Sequence, residues 1–225
     1  MDFLKQAYLL LWKDFLLEMR RRESLLTMFF FGILLLFVFH FSFEIPREKV
    51  PEMAPGLLWL AFLFTGTLGL TQLFQVEREN HCLDALLLSP LDRGSLYLAK
   101  VLFNIFLMLL VEMVVFPLFW ILFNLESWAL LPSLFAVAML GTVGFSVLGT
   151  LFSAVTLKAR ARELLLPLVL FPLMIPVILG TVRSMSILLG AGESQEALAW
   201  IRLLAGFDVI FLTAGFLIFD WVIES

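Results

Sequence analysis

QVERENHCLDALLLSPLDRGSLYLAK, residues 75–100, is the stretch on which the reading of this chain turns. It lies between two long apolar runs. It opens on the charged turn Glu77, Arg78, Glu79 and continues through Leu83, Leu86 and Leu87 to Ser89 and Pro90. Proline disfavours a helical residue before it, so a first short helix ends near Ser89. Asp92, Arg93 and Gly94 restart a second short helix running toward Lys100. A short amphipathic helix between two membrane spans must lie on the membrane surface or dock onto something there. Leu83, Leu86 and Leu87 would otherwise form an uncovered apolar stripe. The acids at the start are also what an ordinary solvated helix N-terminus carries.

Working outward, the 225 residues are 62% hydrophobic and 15% charged, with mean hydropathy +1.03. A soluble domain carries about 45–50% apolar and about 25% charged residues. Apolar runs of about 20 residues make this an all-α integral membrane protein. The ten-residue alternation of a transmembrane β-barrel is not seen. Six spans are expected, at about 24–43, 55–74, 101–123, 132–157, 164–181 and 203–223, in one permease domain covering 1–225. Residues 182–200 form a longer, mixed segment with Gly190, Gly192 and Glu193.

Residues 1–22 precede the spans as an interfacial amphipathic helix. Leu4, Tyr8, Leu11, Trp12, Phe15 and Met19 share roughly a 100° arc, with Asp2, Lys13 and Arg20 opposite. The helix ends in Arg20-Arg21-Arg22, a cationic end suited to anionic headgroups, or simply a topology anchor. With the N-terminus inside, eleven of the 15 Lys and Arg fall on the inner side, so both termini and the 75–100 loop are expected in the cytoplasm.

The catalytic vocabulary is sparse. No GxxxxGK[ST] phosphate loop, HExxH or GxSxG occurs. One cysteine, Cys82, and two histidines leave no basis for a disulfide or a four-ligand zinc site. Nothing points to nucleic acid. Energy for transport must then come from ions or from a partner protein.

Within the spans the polar candidates are Asn104, Glu112 and Asp208. A charged Glu112 at a helix centre costs about 2.5–3.5 kcal/mol on insertion scales, so it is protonated, paired across the bundle or lining a cavity, with a hydrogen bond to a neighbouring span the expected case. Asp208 pairs locally with Arg202 or marks the outer interface. Pro167, Pro172 and Pro176 free carbonyls and bend the fifth span, as a static kink or as a moving one. His40, among Phe39, Phe41 and Phe43, offers an axial haem ligand in an aromatic setting, or is an ordinary interfacial side chain.

The loop pattern, charged-Arg-Glu, then LxxLLLSPLxR, then LxxxK, resembles the first cytoplasmic loop of six-span permeases of the ABC-2 exporter class. Asn104, Glu112 and Pro117, the proline span LLLPLVLFPLMIPV and the ending FDVIFLTAGFLIFDWVIES resemble the CcmB family, the haem exporter permeases of cytochrome c maturation. One departure is His81, where such loops usually carry glycine. The resemblance implies a cytoplasmic coupling helix seated in an ATP-binding cassette subunit. It also implies a homodimer of this chain, a haem-handling membrane protein, a haem chaperone and a place in the bacterial inner membrane. ATP would be bound by the partner, and haem would be cargo rather than cofactor. The task implied is haem export or ATP-driven release of loaded chaperone. The broader class also exports lipids, polysaccharides and drugs, and a scaffold that transports nothing is the third reading.

Overall fold

A computed structural model describes residues 3–79, 88, 91–125, 128–157, 159 and 162–224. The described helices are α1 (Phe3–Arg21), α2 (Glu23–Ser42), α3 (Val50–Gln72), α4 (Gln75–Glu79), α5 (Arg93–Leu122), α6 (Leu131–Val155), α7 (Arg162–Ser186) and α8 (Ser194–Glu224). No strand occurs among the described residues. Among the described residues six helices, α2, α3, α5, α6, α7 and α8, are long and apolar enough to cross a membrane. The chain is an all-α, multi-pass membrane protein.

Local chemistry explains the boundaries. The Glu18 carboxylate accepts from the Leu25 amide at 2.8 Å, satisfying a free N–H at the start of α2 across the turn at Arg22. Pro51 occupies the first turn of α3, where its missing N–H costs nothing. Asp92 caps α5 by accepting from the Gly94 amide at 2.9 Å. The short helix expected to run from Asp92 toward Lys100 and the third span expected from 101 are one helix, because no proline falls between Arg93 and Phe116 and the helix runs on through Pro117 to Leu122. The 182–200 segment, expected to lie between the fifth and sixth spans, is mostly helical and largely belongs to them, since the span-length apolar helices run Leu164–Ala191 and Gln195–Ile223. α7 runs to Ser186, a π turn covers Ile187–Ala191 with Gly190 at φ 108°, and α8 begins at Ser194.

α3 and α6 run parallel, with Trp59 against Gly141 and Leu70 against Gly149, whereas α5 and α6 run antiparallel. Asn104 and Glu112 of α5 meet Ser146 and Thr142 of α6, so one sequence rises as the other falls. α3 and α6 are the inner helices: 67% of the most apolar window of each is buried, against 17% for α2 and α8. α6 packs against α3, α5, α7 and α8. A Cβ on Gly141 would collide with the Trp59 ring, and one on Gly144 with the Asp208 carboxyl, so these two glycines permit that close approach.

α1 packs along α5. Its buried face is Gln6, Ala7, Leu10 and Asp14. The arc carrying Leu4, Tyr8, Trp12 and Met19 is exposed.

Candidate functional site: an ion cluster under the 75–100 loop

Four charged side chains from three helices meet where the loop leaves α3. Lys100 of α5 lies 3.0 Å from Asp14 Oδ2 and 2.8 Å from Glu77 Oε1, and its Nζ donates to the Leu73 carbonyl at 2.9 Å. Two of these contacts are hydrogen bonds, to the Leu73 carbonyl and to Glu77, and the third is an ion pair with Asp14. The same Nζ stands 5.1 Å from the Phe74 ring centroid. Lys13 of α1 also touches both acids, at 3.1 Å from Asp14 Oδ1 and hydrogen-bonded to Glu77 Oε1. Two cations and two anions leave no net charge, which is what allows burial.

The members differ in exposure. The side chains of Lys100, Glu77 and Asp14 are 2%, 3% and 6% exposed, and Lys13 is 37% exposed. Burial alone would push the Glu77 carboxyl up; Lys100, then Lys13, outweigh it and hold the group at about 2. Burial would pull the Lys13 ammonium down; Asp14 and Glu77 outweigh it and raise it above its ordinary 10.5. A further polar pin joins the same helices, where Gln6 Oε1 accepts from the Asp92 amide at 3.0 Å and from Ser95 Oγ at 3.3 Å.

The structure thus brings Glu77 into the bundle rather than presenting it outward, and leaves its neighbour Arg78 exposed. Glu79 closes α4. Leu83, Leu86, Leu87, Ser89 and Pro90 lie outside the described residues. Leu88, which is described, is 88% exposed. Lys13, Asp14, Lys100 and Gln6 were not among the candidates from sequence. Their signal was the stripe Gln6, Leu10, Asp14 at i, i+4, i+8, a polar-bearing face on a largely apolar helix, which needs polar partners.

The intramembrane candidates separate into two sets on opposite flanks of α6. Asn104 and Glu112 face it from α5. Asn104 Nδ2 donates to Ser146 Oγ at 2.9 Å, and Thr142 Oγ1 donates to Glu112 Oε1; both side chains are fully buried. Asp208 lies on the other flank, against Gly144, with its Oδ1 unpartnered among the described residues. No ion pair joins it to Arg202 among them. Pro172 and Pro176 lie on the exposed side of α7 and Pro167 is half-buried, while Leu166, Leu170, Met174 and Val177 form the buried stripe. The His40 ring packs edge-on to Phe41 and Phe123, with centroids 5.3 and 5.4 Å away. Among the described residues no three His, Cys, Asp or Glu side chains stand close enough to hold a metal.

Comparison with known proteins agrees with this architecture over most of its length. Heme exporter protein B of Pseudomonas aeruginosa is 32% identical over 190 residues, 84% of this chain and 81% of that protein. The protein of the same name from Paracoccus denitrificans is 32% identical over 155 residues, 66% of this chain and 71% of that protein. That from Haemophilus influenzae is 28% identical over 170 residues, 74% of this chain and 75% of that protein. The family model described as CcmB protein matches residues 5–220. The chain belongs to the CcmB protein family.

Proposed function

We propose that this protein is the membrane permease component of an ATP-driven exporter that serves cytochrome c maturation, moving haem or driving release of a haem-loaded chaperone. It sits in the bacterial inner membrane with both termini cytoplasmic, and pairs with a second copy of itself. ATP is bound and hydrolysed by separate cassette subunits docked on the segment between α4 and α5. The chain itself is mechanical rather than catalytic. A haem-handling membrane protein and a chaperone complete the system.

The observation that carries this reading is the ion cluster at the root of the loop. A push on the loop arrives first at α4. Glu77 is bonded there to Lys13 of α1 and Lys100 of α5, so displacement of α4 is passed at once to both helices. α5 then carries it to Asn104 and Glu112, whose bonds grip α6, the inner helix touching α3, α7 and α8. The family match, the exposed Leu88 and the bias of Lys and Arg toward one end support the same reading.

The test is Lys100→Met expressed in native membranes, beside the reciprocal pair Glu77→Lys with Lys100→Glu. The single variant should reach the membrane and retain its ATP-binding partner on mild-detergent purification, yet lose mature cytochrome c. The reciprocal pair should recover part of it. Normal cytochrome c in a membrane-inserted Lys100→Met variant would overturn the coupling role.

A further inference from the structure

A groove runs along the outward side of α1, and its two halves differ in chemistry. One half is apolar: Tyr8, Trp12 and Phe15 of α1 face Leu102 and Phe106 of α5. Phe15 and Phe106 meet edge to face with centroids 5.4 Å apart, and Leu102 and Phe106 are themselves exposed. The other half is the stripe Leu9, Lys13, Leu16, Arg20, at i, i+4, i+7, i+11 of the same helix. Trp12 lines both halves, which adjoin across its ring. Among the described residues no acid lines either half. Only two residues separate Arg20 from Glu23, where the first membrane-crossing helix starts, so the basic half sits at headgroup depth.

We propose that this groove binds one anionic phospholipid. The phosphate rests on the Arg20 guanidinium, flanked by Lys13, and an acyl chain lies over Trp12 into the aromatic half. The charge argument selects the occupant. A purely apolar partner would leave Arg20 and Lys13 at its edge unmatched. A zwitterionic lipid would bring its own ammonium toward them. Arg20 carries most of the contact because Lys13 already holds Asp14 and Glu77; Lys13 is nonetheless the exposed member of that cluster, and so within reach of a headgroup. The guanidinium fork suits a phosphate bidentately, whereas the ammonium acts as a point charge.

The experiment is native mass spectrometry of the full chain in mild detergent, after delipidation and addition of phosphatidylglycerol or phosphatidylcholine with matched chains. One phosphatidylglycerol per chain should survive activation that strips phosphatidylcholine. Arg20→Gln should lower its occupancy roughly fivefold, the size of one basic side chain at a lipid surface. Trp12→Ala should weaken retention of either lipid. Excess inorganic phosphate should not displace the bound lipid, since it has no chain for the aromatic half. Equal retention of the two lipids, an unchanged Arg20→Gln variant, or displacement by free phosphate would each overturn the proposal. So would occupancy of the groove by a partner protein that excludes lipid from the purified complex. Arg20 is exposed and outside the bundle core, so its variant tests binding and not folding.

Discussion

Lys100 is a buried cation held between Asp14, Glu77 and the Leu73 carbonyl, so its removal and that of Lys13 should differ in size. Lys100→Met leaves Asp14 and Glu77 buried with one half-exposed partner. Breaking a buried pair this way costs about 3–5 kcal/mol. Lys13→Met removes a partly solvated contact, worth about 1 kcal/mol or less. Thermal unfolding of the purified variants checks this, and equal losses would contradict the burial ranking. Acid should act on the same cluster. Glu77 sits near 2 when folded against an ordinary 4.5, so its contribution is complete above about pH 4.5 and is lost as pH falls toward 2. The wild-type melting temperature should therefore fall more steeply across that window than that of Glu77→Gln.

At the scale of the helix, α6 is the element with least freedom. Gly141→Ala places a methyl group into the Trp59 ring and the Thr181 hydroxyl. Overpacking of this kind costs about 1–3 kcal/mol. Gly206 of α8 has nothing within 4 Å of an added Cβ. Gly206→Ala should be neutral, or stabilising by about 0.5–1 kcal/mol through helix propensity. Thr142→Val strips Glu112 of its hydrogen-bond donor on α6 and should cost about 1–3 kcal/mol. Melting curves of the three variants side by side test whether α6 is held by contact rather than by apolarity alone. α7 shows why proline content does not disclose mechanics. Its buried stripe of Leu166, Leu170, Met174 and Val177 contains none of the three prolines.

For the whole molecule, the consequence of the architecture is a division between seating and docking. The ion cluster seats the root of the loop on the bundle, and Leu88, the described residue beyond it, is exposed and on the proposed reading faces the partner. Leu88→Asp should therefore leave melting temperature and membrane insertion unchanged while the ATP-binding partner no longer copurifies. Loss of insertion, or normal copurification, would place the docking surface elsewhere.

The number of spans, their helical nature and the family were legible in the sequence. Long apolar runs in lipid have one backbone solution, and the pattern of the 75–100 loop together with the proline span is distinctive. Span boundaries were less legible, since a helix such as α5 continues past the membrane wherever no residue breaks it. The role of Glu77 was not legible. Next to Arg78 in a polar loop it reads as a solvated acid, and only the approach of Lys13, 64 positions away, and Lys100, 23 positions away, makes it a buried one. Local periodicity determines which face of a helix is apolar. Which face meets protein depends on where the other helices lie, and on α1 the tertiary structure buried the face of Gln6, Ala7, Leu10 and Asp14, because Asp14 and Gln6 found partners there, while Leu4, Tyr8, Trp12 and Met19 of the apolar arc remained exposed.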